Sequence, residues 1–440
     1  FAGYGTGTLP YLPTVPGVDL SYPQNFPFAN EYFFQNPKSM SSPWESILYE
    51  DGQVFYERST AALRYKKMFC WGNHVGGRGW QEFLSDASSP NFSPYLELQA
   101  GLAPTQLHGY QMPGHSEITF TQFFGSFEKT ENQQLLKAEW SAAQEKMSDQ
   151  IEKVAPIDLL ESENLRFEKL ATKEPAEIMF HGSSWGAVEK RRREKSGENI
   201  PAGLLFESTK SDQTGDWIEL LETGNYPISD VTKVPTSWMV QKEWISLLEE
   251  SRQNWLSSLH IGNYYFEIGE KELAIDHWNK SLEFDSSPWA LRNLAIAQKD
   301  SGNFLTALDL YEKAINKFAP ELHDAFYEEY LQLLINSEKY EQVWKIYTEF
   351  TSVRVPSERI DLAAAKAALQ LGHFEFLAKI FTRTFAQIRE GESTLVAIWF
   401  EYQAILAAQV SGVPVDDQFR KQVRQSTRPP KNIDFRMIES

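Results

Sequence analysis

The sequence predicts a multidomain β plus α protein, with a β-rich N-terminal part followed by an α-solenoid of stacked helical hairpins. Three observations predict it. The first 127 residues hold 11 of the 22 prolines, 13 of the 25 glycines and 25 of the 60 aromatic residues. Beyond Phe127 the texture turns to Gln, Glu, Lys and Ala, which favour helix. From about Asn254 a pattern of glycine, small and aromatic residues recurs every 33 to 36 positions. At roughly 150 residues per domain, a chain of 440 residues suggests two or three units. The texture divides it into a β region (1–127), a mixed, mostly helical docking region (128–251) and a repeat array (252–440).

In the β region, short aromatic and β-branched runs lie between Gly/Pro punctuation, the pattern of sandwiches and barrels. Strands are expected at 54–59, 67–71, 95–99 and 117–124. The last alternates, with Ile118, Phe120 and Phe124 on one face and Thr119, Thr121 and Phe123 on the other. Four or five such strands are too few to close a barrel or cover a second sheet, so part of a larger β-structure is expected. The opening FAGYGTGTLP lacks an initiator Met and a signal pattern, and a missing upstream part is expected.

Residues 128–154 form a Gly-free, Pro-free run with Leu135, Leu136, Trp140 and Met147 at helical spacing. The basic run Lys190–Arg193, flanked by Glu189 and Glu194, reads as a solvated helix face.

The repeat carries the strongest signal. Gly269/Gly302, Ala274/Ala307, Trp278/Tyr311 and Ser281/Ala314 are each 33 apart. Tyr340, Val343 and Tyr347 follow Phe304, Ala307 and Tyr311 by 36, and Phe374, Leu377 and Phe381 come 34 later. A period near 34, with glycine at a turn and a small residue four before an aromatic, is the tetratricopeptide signature. Glycine permits the tight turn, the alanines mark where paired helices approach closest, and Trp278, Tyr311, Tyr347 and Phe381 fill the gap to the next repeat. Pro320 is expected to close the second repeat's last helix, 394–410 to form a further helix, and the terminal IDFRM to pack back on the array. Such arrays bind peptides or brace other domains. Asn263, Tyr264, Arg292, Asn293 and Glu329 are expected on the concave face, and no basic carboxylate clamp is present.

Chemistry-bearing residues concentrate in two stretches of the β region. FCWGNHVGGRGWQEFL (69–84) sets Trp71, His74, Arg78, Trp80 and Gln81 among glycines. Indole faces stack on sugar rings, and His, Arg and Gln bond hydroxyls from fixed directions; the same indoles serve equally well in a core. The glycines are not a phosphate loop, because no Lys-Ser/Thr follows them. The second stretch, 95–124, runs from a strand bearing Glu97 and Gln99 through a Gly/Pro loop with Gln106 and His108 to the turn Met112-Pro113-Gly114-His115. A glycosidase pair of Glu97 with Glu117 is an alternative that depends on an unknown carboxyl separation.

This second stretch resembles the closing segment of galactose-mutarotase-like β-supersandwiches, where a Leu-Glu-x-Gln strand precedes a proline-bearing loop and a last strand. The resemblance implies that Glu97 is the base that takes the anomeric hydroxyl proton, a role suited to a carboxylate held on a strand. The family's acid is a His from an earlier strand, and His74 is the upstream candidate here.

The order of motifs also resembles a bacterial family that joins such a supersandwich, a domain of unknown function, to tetratricopeptide repeats. The matching residues are Trp71-Gly72, Gly76-Gly77, Trp80-Gln81, Glu97–Gly101, Thr105-Gln106, Met112-Pro113, His181-Gly182, Trp185–Ala187 and Ile433–Met437. Members are longer at the N-terminus, which implies that the front of the β-domain lies outside this chain.

The expected function is therefore a carbohydrate-binding or carbohydrate-active protein, a glycoside hydrolase or mutarotase-like epimerase, with Glu97 catalytic. Trp71, His74, Arg78, Trp80, Gln81, Gln99, Gln106 and His108 would hold the sugar or oligosaccharide, and the repeats would brace the domain or mediate homo-oligomerisation. The alternative is a non-catalytic scaffold whose repeats bind a protein partner. The loop HGSSWG, from His181, is read as a docking contact or a site edge, feeding a helix from Trp185 that carries Glu189. The formal charge of −18 argues against nucleic acid. A lone Cys70 permits neither an internal disulfide nor a thiolate zinc site, and it suits a cytoplasmic setting. No run of about 18 apolar residues marks a membrane span. No cofactor or metal is expected.

Overall fold

The computed structural model describes residues 5–85, 96–180, 182–206, 209–319, 321–386 and 393–437. Grouped by their contacts, the residues fall into two compact units. One comprises 1–171, 388–400 and 412–440, and the other 172–387 and 401–411. The segment 128–251 expected from the sequence is thereby divided after Ala171.

The first unit contains strands β1 (Asn30–Phe34), β2 (Trp44–Leu48), β3 (Gln53–Ser59), β4 (Tyr65–Cys70), β5 (Leu96–Gly101) and β6 (Gln122–Glu128), with helix α1 (Val75–Leu84) between β4 and β5. Helices α2 (Trp140–Val154) and α3 (Ile157–Ala171) follow. The strands form two antiparallel three-stranded sheets, β1-β4-β5 and β2-β3-β6. In the first sheet, Glu31, Phe69 and Glu97 form one cross-strand row, and Phe33, Lys67 and Gln99 the next. Opposed residues point to the same face, and alternate residues of a strand share it, so both rows line one face. On the second sheet, Val54 and Tyr56 pack against Met147, Ile151 and Ala155 at the end of α2.

Among the described residues, strands β1 and β2 escape the sequence reading because they are short and lie among Pro, Gly and Asn. The strand expected at 117–124 is displaced and runs over Gln122–Glu128. Its ladder partner β3 ends at Ser59 opposite Gln122, so earlier residues have no strand to pair with. There the threonines bond sideways to α3: Thr119 Oγ1 donates to Glu168 Oε1 (3.0 Å) and Thr121 Oγ1 to Asn164 Oδ1 (2.8 Å). Tyr95, expected to start β5, lies outside the described residues.

The second unit begins with α4 (Trp185–Ser196), α5 (Gly215–Thr223) and α6 (Lys242–Glu250). Four antiparallel helix pairs follow: α7 (Trp255–Glu267) with α8 (Lys271–Phe284), α9 (Pro288–Asp300) with α10 (Phe304–Phe318), α11 (Asp324–Asn336) with α12 (Tyr340–Thr351), and α13 (Glu358–Leu371) with α14 (Phe374–Ile380). Helix α15 (Thr394–Ser411), expected at 394–410, divides between the units, and α16 (Asp417–Ser426) belongs to the first.

Several repeat residues take the places expected of them, although the ring of Trp278 packs on Phe266 of its own pair at 5.4 Å. Gly269, Gly302 and Gly372 turn between paired helices at φ +85°, +79° and +75°, where a Cβ is strained. Glu338 occupies the corresponding turn of the third pair at φ 55°. Ala274, Ala307 and Val343 are fully buried between paired helices. Tyr311 stacks on Tyr330 of the next pair at 5.6 Å and meets Phe326 edge-on at 5.3 Å. Pro320 lies outside the described residues, and α10 ends at Phe318.

Candidate functional site

Five expected sugar-binding residues come together, but around a different occupant. Trp71 and Trp80 are only 3% and 2% exposed. Their rings stack on each other at 5.4 Å, Phe69 closes the edge of Trp71 at 4.8 Å, and Phe435 closes Trp80 at 5.5 Å. No indole face is left for a sugar. Trp80 Nε1 donates to the Phe435 carbonyl (3.0 Å), and His74 Nε2 lies 2.7 Å from the Arg436 carbonyl. Gln81 is 3% exposed and donates to the Gly72 and Gly77 carbonyls at 3.0 and 3.2 Å. Arg78 donates to Asn73 Oδ1.

The terminal segment read as IDFRM meets the helix expected at 394–410 through Arg436, whose guanidinium lies 5.5 Å from the Phe400 ring centroid. It seats on α1 in the first unit, where a Cβ on Gly76 would overlap the Arg436 carbonyl. Glycine spacing in α1 serves this backbone approach rather than a ligand. Asp434 and Arg436 close the turn with a two-pronged ion pair of 2.7 and 2.8 Å.

The remaining four expected residues lie on or beside the face of the first sheet that carries Glu31, Lys67 and Phe69, of which Lys67 and Phe69 are buried. Gln99 Nε2 donates to Glu97 Oε2 (2.9 Å), and both side chains are half-buried. Lys67, opposite Gln99, lies 3.0 Å from Glu31 Oε2 and 5.4 and 5.7 Å from the Phe33 and Phe69 ring centroids. Gln106, with its amide oriented to suit its neighbours, accepts from Lys67 Nζ at 2.6 Å and donates to Glu31 at 3.3 Å. His108 Nδ1 lies 2.6 Å from Thr105 Oγ1. Glu31 and Lys67 were not singled out from the sequence. Their signal is the alternation of charge with aromatics in NEYFF and YKKMF, legible only once the register is known. Glu117, the alternative carboxylate, is exposed outside any strand.

A second carboxylate pair, equally absent from the sequence reading, lies on the other sheet. Glu45 and Glu57 face each other across β2 and β3, and both are buried. Lys66 Nζ lies 2.6 Å from Glu57 Oε2 and donates to Ser59 Oγ (2.6 Å), while Gln122 donates to Glu57 Oε1 (3.1 Å). Glu45 is 6% exposed and neither carboxyl oxygen meets a protein donor. Burial, and then the Glu57 charge, pushes its pKa up to about 9. Burial lowers that of Lys66, against the pull of Glu57.

Four of the five residues expected on the concave face form one polar ladder, whereas Tyr264 meets Tyr265 edge-on instead. Asn293 Nδ2 donates to Asn263 Oδ1 (2.8 Å), which also accepts from Trp278 Nε1 (3.1 Å). Arg292 reaches Glu329 with two hydrogen bonds of 2.7 and 2.5 Å and bonds Asn293 Oδ1 at 3.2 Å. Tyr311 Oη donates to Glu329 Oε2 (3.1 Å). One pair further along, Tyr347 Oη and Arg383 Nη1 hold Asp361 at 2.8 and 2.6 Å. Burial works against the Arg292 charge, but the Glu329 hydrogen bonds and carboxylate raise its pKa overall. The ladder is half-buried, and its polar edges line successive first helices.

His181 lies outside the described residues. Helix α4 starts at Trp185 and carries Glu189, as expected. Its basic run is not a simple solvated face. Arg192 spans Glu189 (2.8 and 2.9 Å) and Glu198 (2.7 and 3.0 Å), and Arg193 holds Glu189 at 2.6 Å. Among the described residues, no group of three or more His, Cys, Asp or Glu side chains is arranged to hold a metal ion, and no helix is long and apolar enough to cross a membrane.

No family model matches the chain. No curated protein matches it either. Among solved structures, the crystal structure of a TPR-domain containing protein from Parabacteroides distasonis is similar, with a TM-score of 0.52 and 14% identity over 91% of this chain. The chain spans 60% of that protein's length. At this identity the likeness concerns fold alone: a β region with two sheets, joined to tetratricopeptide-like helical repeats.

Proposed function

We propose that this chain is a tetratricopeptide scaffold that binds a protein partner along the first helices of its repeats. The observation that carries this reading is the Asn263–Asn293–Arg292–Glu329 ladder, which links three successive first helices in a half-buried polar strip. Amide and guanidinium groups in fixed positions can bond the backbone and side chains of an extended peptide. Because Arg292 is already neutralised by Glu329, the strip suits a polar peptide rather than a strongly acidic one. Affinity capture with the full chain, beside the variants Asn263→Ala and Asn293→Ala, tests the reading. A specific partner kept by the wild type and lost by both folded variants is expected; equal capture by all three overturns it.

A second reading places sugar chemistry on the first sheet, with Glu97 as base or hydroxyl ligand and Gln99, Gln106 and His108 beside it. It draws on the supersandwich resemblance and on two adjacent cross-strand rows that bring Glu31, Glu97, Lys67 and Gln99 to one face. Glu97→Gln is isosteric and should abolish turnover on a glycan found by array screening. A glycan array without hits, or turnover that survives Glu97→Gln, removes Glu97 from the chemistry.

A further inference from the structure

We propose that a cleft between α4 and α6, outside the four helix pairs, receives one basic side chain, lysine or arginine, from a partner polypeptide. The cleft encloses about 350 Å³. Val188 and Trp244, both buried, form its floor; Trp185 and Met239 stand half-buried at its sides; Glu189, Arg192 and Glu243 line its polar margin. This is the low end of the range for ligand pockets, suited to one side chain rather than an oligosaccharide.

The charges select the sign of the occupant. Glu189 is already answered by Arg192 and Arg193. All the hydrogen bonds that Arg192 makes here go to Glu189 and Glu198, so it offers little to an incoming anion. Glu243 sits in the first turn of α6, where the helix dipole favours a carboxylate. It has no ion pair or side-chain hydrogen bond among the described residues. An anion would meet this unpaired carboxylate, and a neutral apolar group would leave it without a partner. A cation on an aliphatic stem satisfies both parts: the stem lies along Trp185, Val188 and Met239, and the head reaches Glu243 and an indole face.

The inference rests on the scaffold reading only for the source of the side chain, so its test uses small probes that need no partner. The full chain is titrated with Nα-acetyl-lysine methylamide and with its uncharged isostere Nα-acetyl-norleucine methylamide. The readout is the Trp185 indole resonance, assigned with Trp185→Phe. A saturable shift with the lysine probe is expected, with the norleucine probe about tenfold weaker, as loss of a charge-assisted and cation–π contact implies. Glu243→Gln, an exposed change that leaves the floor intact, should weaken the lysine probe by a similar factor. Equal binding of the two probes, indifference to Glu243→Gln, or a silent Trp185 overturns the inference. Ladder-dependent capture of a partner alongside a silent Trp185 sinks this inference alone. A lysine-specific shift without any such partner supports the cleft and counts against the ladder.

Discussion

Arg292 on α9 and Glu329 on α11 hold each other through two parallel hydrogen bonds of 2.7 and 2.5 Å across a repeat boundary. Both side chains are about one-third exposed. The pair is a geometric clamp between neighbouring helix pairs, with Tyr311 donating to the same Glu329 oxygen, Oε2, that accepts from Arg292 Nε. Arg292→Ala should destabilise the array by about 1–2 kcal/mol, between the values for exposed and buried pairs. Arg292→Lys should recover only part of this, because an ammonium cannot reproduce the fork. A double-mutant cycle with Glu329→Gln, read by urea unfolding, checks the coupling. Additive single effects would show that the pair does not act as a unit.

Glu338 occupies a turn that its three counterparts fill with glycine. Its left-handed backbone at φ 55° carries a Cβ penalty that Gly269, Gly302 and Gly372 avoid. Glu338→Gly should stabilise the chain by about 0.5–1 kcal/mol after the entropic cost of glycine in the unfolded state. Gly302→Ala should destabilise it by about 1 kcal/mol. Thermal unfolding of both variants checks the opposite signs.

Glu45 gives the first unit an unusual pH response. Its folded pKa is raised to about 9, whereas the unfolded side chain titrates near its ordinary 4.5. Between those values the folded state holds a proton that the unfolded state has released. Stability from this group is therefore greatest below pH 4.5 and declines as pH rises toward 9, by at most about 1.4 kcal/mol per unit. Lys66, whose folded pKa is lowered, acts in the opposite sense at alkaline pH. Glu45→Gln should flatten the decline between pH 5 and 9. Urea midpoints of wild type and variant across that range decide it, and parallel curves would disprove the assignment.

Phe435 completes the stack of Trp71 and Trp80 from the far end of the chain. Phe435→Ala should cost the first unit about 3–5 kcal/mol, as for other buried phenylalanines. It should also red-shift indole emission as water reaches the pair. Gly76→Ala should act similarly by a different route, since its Cβ would collide with the Arg436 carbonyl and lift the segment from α1. Unchanged emission in both variants would mean that the C-terminal segment does not cover the indoles.

Residue types were least informative where burial decides their role. Trp71, Trp80 and Gln81 suit a sugar site and a core equally well, and only the seating of Phe435, 355 residues beyond Trp80, distinguishes the two. Lys67 and Glu31 were overlooked because a lysine beside an aromatic acquires meaning only through its cross-strand neighbours. In the repeats, by contrast, four of the five residues expected on the concave face, Asn263, Arg292, Asn293 and Glu329, meet in one hydrogen-bonded strip.

The difference follows from contact range. Helical hairpins are built from partners a few tens of residues apart, so recurring Gly, Ala and aromatic positions in the sequence alone were enough to determine the turns and the close approaches. The β unit is assembled from distant segments. Sheet register, the opposition of Glu45 and Glu57, and the C-terminal segment over the indoles arise from tertiary pairing that no local pattern encodes. Only the folded structure could decide which polar and aromatic side chains face water and which face one another.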